Sequence, residues 1–281
     1  MKICVITGGA GGMGLECAKI MGTREKLLLV DVSQEKLDEA VEFLAGQGIE
    51  GVETALCDIS DREAVKALAA KAAALGEIGS VLHLAGVGSY CPAEVVIKVN
   101  ALGVYNMIEE FYAVMGEGSN MITANSLSSH TTAPMFENNE ETDPLFDNPG
   151  DPGFCDGMYA LCDGFRQKTG GTAPMGGLAY GFAKYFSRRY TLRNVMRFAD
   201  KGIRLNTVTP GVIATPMGLK EKDGCDRMKA QMAIKDEGTP EEMATAICWL
   251  TEPAARVISG IDLPVDGGFL ALKAYPKQVE A

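Results

Sequence analysis

Residues 7–14 read Thr-Gly-Gly-Ala-Gly-Gly-Met-Gly, with glycine at five of eight positions. An apolar run rich in β-branched residues, Ile3 to Thr7, enters this stretch, and a helix-forming segment from Gly12 to Met21 leaves it. Glycine reaches positive φ and leaves room beside the backbone, so such a turn presents the amides of a helix N-terminus to an anion. Two spacings fit: GxGxxG through Gly9, Gly11 and Gly14, and TGxxxGxG through Thr7, Gly8, Gly12 and Gly14, with Met13 between the last two glycines. With 33 glycines in 281 residues either spacing arises easily by chance, and an ordinary tight turn competes with both. Context strengthens the nucleotide reading. Asp31 closes the second strand about twenty residues on, where a dinucleotide-binding βαβ unit carries an acidic residue for ribose hydroxyls.

Outward from this turn the chain alternates short apolar strands with amphipathic helices. Strands are expected at Lys26–Asp31, Gly51–Leu56, Ser80–Ala85, Asn120–Ser126, Arg204–Val208 and Ile261–Val265. Helices are expected from Ser33, a natural N-cap, to Gly46, over Asp61–Leu75, through Asn100 to Met115, over Leu178–Asp200, and over residues 239–250. This order implies a doubly wound parallel α/β sheet in one domain. It breaks at about residues 127–177, which are rich in Gly, Pro, Asn and Asp and contain the acidic run ENNEETD (137–143). That segment reads as a loop-rich insertion with a short helix or two, and residues 215–238 read as a mobile flap. ENNEETD reads as a solvated face.

Composition narrows the function. A net charge of −11 disfavours attraction to a nucleic-acid backbone, and no apolar run is long enough to span a bilayer. The eight cysteines form no CxxC pair and the histidines number two, so neither a disulfide framework nor a metal site is expected. A soluble, cytoplasmic protein with a small-molecule partner is the expectation.

Tyr180 and Lys184, in LAYGFAK (178–184), fall on one helix face. A nearby ammonium favours the phenolate of a tyrosine, which makes it a usable acid/base, although the pair also occurs as plain ring-on-stem packing. Ser126, in ITANSLSS (122–129), ends a strand at the carboxyl edge of the sheet and can hydrogen-bond a substrate oxygen; Ser128 competes for that role. Asn100, in KVNALG (98–103), is an amide within an apolar helix, where it either orders water leading to Lys184 or caps a kink.

The glycine turn, Asp31, the set Asn100, Ser126, Tyr180 and Lys184, and RLNTVTPGVIATPM (204–217) together resemble the short-chain dehydrogenase/reductase family. The resemblance implies a Rossmann-type sheet, selects the TGxxxGxG spacing and makes those four residues catalytic. It also implies that Gly8, Gly12, Met13, Gly14, Asp31, Asp58, Ile59, Ala85, Gly86, Asn100, Tyr180, Lys184, Pro210, Gly211, Ile213 and Thr215 contact the cofactor. Asp58 would lie at the adenine, Thr215 at the nicotinamide carboxamide, and Lys184 would hold the ribose. The family's NNAG is HLAG here (83–86), and His83 reads as a packed strand-end residue. Asp31 would repel a 2′-phosphate and no Arg or Lys stands nearby in the glycine turn or at 32–34, which points to NAD.

The long gap between Ser126 and Tyr180 is similar to the bacterial 3α-hydroxysteroid dehydrogenase/carbonyl reductase branch. A steroid or bile-acid alcohol is the implied substrate, with reduction of another carbonyl, a 3-oxoacyl thioester or sugar ketone, and a non-catalytic NAD-sensing role as the alternatives; a homo-oligomer, dimer or tetramer, is the implied assembly. Met135, Phe136, Phe146, Phe154, Met158 and Tyr159 of the insertion, with Met217, Leu219, Met228 and Met232 of the flap, would line a pocket for a rigid apolar molecule. The alternative is that the insertion covers a subunit surface.

Overall fold

The computed structural model describes residues 1–136 and 142–275. Seven strands form one parallel sheet: β1 (Ile3–Thr7), β2 (Lys26–Asp31), β3 (Glu53–Leu56), β4 (Ile78–His83), β5 (Asn120–Ala124), β6 (Arg204–Pro210) and β7 (Asp262–Val265). They lie in the order β3-β2-β1-β4-β5-β6-β7, so the direction of winding reverses between β1 and β4. In sheets of this kind ligands bind beyond the carboxyl ends of the strands at that reversal.

Helices cover both faces. On one side α1 (Gly12–Met21), α2 (Gln34–Gly46) and α13 (Pro240–Trp249) bury Cys17, Leu37, Leu44 and Ile247 against Ile6, Leu29 and Val208 of the sheet. On the other, α3 (Arg62–Leu75) and α5 (Gly103–Val114) bury Leu68, Met107 and Phe111 against Val5, Leu28 and Val81. Capping side chains fix several starts: Ser33 accepts from the Lys36 amide, and Thr239 and Glu242 form a reciprocal capping box that starts α13.

Several boundaries differ from the sequence expectation, and each difference has a local cause. β4 ends at His83: the Leu84 amide is shared between the Thr7 carbonyl and the Thr7 hydroxyl, each at 3.2 Å, and the Ala85 amide turns to that hydroxyl, also at 3.2 Å. β5 ends at Ala124, so Ser126 caps the next helix, α6 (Leu127–Thr132). The helix through Asn100 starts earlier, as α4 (Ala93–Ile97), and passes through a π-helical turn at Lys98–Leu102 before α5. The long helix expected over Leu178–Asp200 is α9 (Met175–Arg193) followed by the separate α10 (Val195–Ala199).

The insertion is more helical than its composition suggested. It contains α6, α7 (Asp143–Asp147) and the fifteen-residue α8 (Phe154–Lys168). Gly157 acts here as a packing residue: a Cβ there would stand 2.7 Å from Leu145, so its absence lets α7 lie close on α8. Phe136, Phe146, Phe154, Met158 and Cys162 are buried with Phe182 and Phe186 of α9 and with Val96 and Ile97 of α4. The Phe136 ring packs edge-on against Phe182 at 4.8 Å, and Phe154 lies 5.0 Å from Phe186. These side chains form a third core on the outer face of α9, which corrects the expectation that they line a pocket; Met135 and Tyr159 are exposed. The first five residues of ENNEETD lie outside the described residues, and of its last two Asp143 pairs with Arg189 at 2.6 Å.

Candidate active site

The glycine turn packs tightly against the start of the segment after β4. Gly8 sits at φ +65, and a Cβ on Gly14 would stand 2.1 Å from the Gly8 carbonyl oxygen. Any side chain at Gly14 therefore breaks the turn, while nothing obstructs the outer side of Gly11, where the nearest atom to an added Cβ is 3.7 Å away. Across the groove from Gly12 stands Thr215, whose methyl would lie 3.3 Å from a Cβ at Gly12. The turn thus leaves an open, side-chain-free approach to the N-terminus of the ten-residue α1, whose first turn carries no acidic residue. This cradle fits the pyrophosphate of a dinucleotide.

Thr7 locks the turn to the strand beside it. Its hydroxyl oxygen accepts the amides of Leu84 and Ala85, so its proton goes to His83 Nδ1, 2.7 Å away, and the histidine carries its own proton on Nε2. Burial, together with the charge of Lys184, lowers the His83 pKa to about 3. His83 is therefore a neutral packed residue, as the sequence suggested.

At the far end of the carboxyl edge, Asp31 accepts the Val32 amide at 2.8 Å and the Ser33 amide at 3.3 Å. Asp58 accepts the Ser60 amide at 2.9 Å just beyond β3. The side chain of Ile59 is buried beneath Gly103, and its carbonyl accepts from Asn106 at 2.9 Å. Its side chain belongs to the core, because the helix carrying Asn106 packs directly over it.

The central cleft lies over the ends of β4, β5 and β6. Met13, Gly86, Ser126, Tyr180, Lys184, Pro210, Gly211, Ile213 and Thr215 line it together, joined by Leu84, Val87, Leu127, Ser128, Val212, Met217, Glu221, Cys225 and Met228. Of the flap residues expected at a pocket, Met217 and Met228 are present. Leu219 points outward, and Met232 packs with Leu127, Val212 and Phe269 beneath the flap. Two short helices, α11 (Pro216–Lys220), capped by Thr215, and α12 (Lys222–Lys229), build the flap.

Within the cleft the chemistry is set by burial. Tyr180 is pushed up to about 12, first by burial and further by Glu221 and Tyr90, while a hydrogen bond with Ser126 pulls the other way. Burial pulls Lys184 down to about 8; its Nζ donates to the Ala124 carbonyl at 3.0 Å and lies 5.9 Å from the centre of the Tyr180 ring. The Lys184 ammonium is directed to the end of β5, where it meets the Ala124 carbonyl. Of the two competing serines, Ser126 is the one whose hydroxyl acts on the Tyr180 phenol, and its Oγ accepts the Ser128 amide.

Asn100 spends its amide on the loop after β4. Its Oδ1 accepts the Val87 amide and its Nδ2 donates to the Val87 carbonyl, both at 2.9 Å. The π-helical turn aims this side chain at the loop, a recurrent use of such turns near functional sites. The clamp holds Gly86 close to Lys184, since a Cβ there would stand 3.7 Å from Nζ.

Sequence reading missed two polar groups. Glu221 lies in a stretch, GLKEKDG, indistinguishable from a solvated loop. His130 bonds Asp262 at 2.6 Å, and Arg188, one turn beyond Lys184 on α9, donates to His130 Nδ1 at 2.7 Å. That network ties α6 and α9 to β7 below the cleft; only tertiary packing brings its members together. Among the described residues no cluster of His, Cys, Asp and Glu is arranged to hold a metal, and no helix is long and apolar enough to cross a membrane.

Residues 2–138 match the family model described as short chain dehydrogenase, and residues 169–270 match the model described as Enoyl-(Acyl carrier protein) reductase. D-threitol dehydrogenase of Mycolicibacterium smegmatis is 27% identical over 283 residues, 95% of this chain and 92% of that protein. The 3beta-hydroxysteroid dehydrogenase 2 of Eggerthella lenta is 25% identical over 279 residues, 96% of this chain and 95% of that protein. The crystal structure of a short chain dehydrogenase from Burkholderia cenocepacia J2315 in complex with NADP superposes with a TM-score of 0.73 at 20% identity, covering 96% of this chain and 98% of that one.

Proposed function

The chain belongs to the short-chain dehydrogenase/reductase family, and on that premise we propose that it is an NAD-dependent oxidoreductase interconverting a secondary alcohol and a ketone, with a hydroxysteroid as substrate. The observation that carries the reading is the convergence of Ser126, Tyr180 and Lys184 on one cleft beside the glycine cradle. The nicotinamide, when bound, accepts hydride from the carbinol carbon or returns it to the ketone. Asp31 would receive the adenosine ribose hydroxyls with the carboxylate oxygen that does not cap the Val32 amide.

In oxidation, Tyr180 Oη takes the proton of the substrate hydroxyl as the hydride leaves, and in reduction it returns that proton. Ser126 holds the substrate oxygen beside Oη and stabilises the charge developing on it. Lys184 in its charged form favours the phenolate and would hold the nicotinamide ribose. Asn100 keeps the Gly86–Val87 segment in place, so that the wall beside Lys184 stays open. A proton released by Tyr180 would leave along water near Asn100 and Lys184. The reading includes a cytoplasmic homo-oligomer.

Support for a steroid comes from the aliphatic and methionine lining of the cleft, from Leu84, Val87, Leu127, Val212, Met217 and Met228, and from the Eggerthella lenta relative. A polyol or sugar ketone is the second reading, favoured by the carboxylate of Glu221 in the same wall and by the D-threitol relative. The test is reduced-nicotinamide absorbance after mixing the protein with NAD⁺ or NADP⁺ and a panel of hydroxysteroids, bile acids and polyols. The proposal predicts turnover of steroids at one hydroxyl position, with NAD⁺ the more efficient cofactor. Turnover restricted to polyols selects the second reading, and equal or better efficiency with NADP⁺ rules out the cofactor assignment.

A further inference from the structure

Glu221 stands between α11 and α12, in the part of the flap that hangs over the cleft. Its Oε1 accepts two hydrogen bonds from Ser89 of the loop between β4 and α4, one from the amide at 2.8 Å and one from the hydroxyl at 2.5 Å. Among the described residues Oε2 accepts none. The adjacent cation, Lys220, is turned onto the ring of Tyr90, 5.0 Å from its centre, which ties the same two loops together a second time. The result is a half-buried carboxylate held in the cleft wall with Tyr180, its charge close enough to oppose ionisation of the phenol.

A fixed negative charge in a confined cleft discriminates between substrates by repulsion as well as by attraction. We propose that Glu221 determines substrate specificity: Oε2 accepts a hydrogen bond from a neutral hydroxyl next to the reacting carbinol, and the carboxylate rejects an anionic group at that position. The inference rests on the dehydrogenase reading above and deepens it by assigning the substrate class, a neutral hydroxy compound, to one side chain. A steroid whose only acidic group lies far from the reacting hydroxyl is compatible with it, whereas a hydroxy acid with its carboxylate one or two carbons away is not. Tyr180 itself is faced by Ser126 at the start of α6, by Tyr90 from the loop after β4, by Glu221 from the flap, and by Lys184 on its own helix.

The test pairs methyl 3-hydroxybutanoate with 3-hydroxybutanoate in the wild type, E221Q and E221K, comparing kcat/KM with NAD⁺. Gln keeps an oxygen acceptor for Ser89 and removes the charge, so a folding defect is not expected to mimic the result. The wild type is expected to prefer the ester at least tenfold, E221Q to bring the ratio within about threefold of unity, and E221K to favour the acid. If neither compound is oxidised, their binding to the protein–NADH complex, read by NADH fluorescence, supplies the same ratio. A ratio that neither variant moves, or no binding of either compound to the wild type, overturns the proposal.

A second readout needs no substrate. The ultraviolet titration of Tyr180, taken as the difference between each protein and the same protein carrying Y180F, moves to lower pH in E221Q if the carboxylate faces the phenol. An unmoved titration overturns the proposal. A charge-dependent binding ratio with a moved titration but no turnover of any alcohol supports the role of Glu221 while removing the dehydrogenase reading.

Discussion

Lys184 is one of the few charged groups this protein keeps almost wholly out of water, and burial alone brings it from 10.5 to about 8. Because the native state sheds its proton more readily than the unfolded chain, stability rises with pH between about 8 and 10.5, and below that window the buried ammonium destabilises the fold. Lys184→Met should therefore be more stable at neutral pH, by on the order of 1 to 3 kcal/mol, while losing nearly all turnover. Urea unfolding of both proteins at pH 7 measures the difference, and a less stable Met variant contradicts the account. Tyr180 and Lys184 were legible because four-residue spacing on a helix leaves a mark in the sequence. Ser126 was legible from its place just beyond an apolar strand, two residues past the end of β5. Glu221 and His130 left no such mark, since their partners, Ser89 and Asp262, stand 132 residues away in each case.

At the scale of the element, the insertion shows how composition misleads. Its glycines, prolines and acidic residues suggest loops, yet Phe154, Met158, Cys162 and Phe165 repeat at helical spacing along α8. Gly157, which lowers helix propensity, makes room for the Leu145 side chain. The aromatic residues were correctly found and wrongly placed, because a sequence does not tell an apolar face that packs on α9 from one that faces a ligand. Phe154, at the start of α8, is fully buried against Phe186, so Phe154→Ala should cost roughly 3 to 5 kcal/mol and leave the KM for the cofactor within about twofold. A variant that unfolds at the wild-type denaturant midpoint, or that loses cofactor affinity with its fold intact, counts against a purely packing role. By contrast, β1, α1 and β2 beside the glycine turn lie at the bounds expected from the sequence, since they satisfy local pattern and tertiary packing together.

At the scale of the whole molecule, the sheet order places the glycine cradle, the ends of β4 and β5, and the start of β6's flap along one edge. That convergence was legible from the alternation of strands and helices, because right-handed crossovers leave few other arrangements. Global stability should also carry the signature of His83, which the fold keeps neutral down to about pH 3 while the unfolded chain takes up a proton near 6.5. The unfolded state binds more protons in that window, so stability falls as the pH drops from 6.5 toward 3. Between pH 7 and 4.5 the wild type should lose on the order of 2 kcal/mol that His83→Asn does not lose. Equal losses in both proteins, measured by urea unfolding, would refute this assignment.

In the proposed reaction Tyr180 moves the proton while hydride passes between alcohol and nicotinamide. Single-turnover formation of reduced nicotinamide should be compared in the wild type and Y180F, using whichever secondary alcohol the wild type oxidises and with cofactor binding checked in parallel. The account predicts that the variant binds NAD⁺ as the wild type does, within about twofold, and loses roughly a thousandfold or more in rate. A Y180F variant that keeps a tenth or more of the wild-type rate would contradict it.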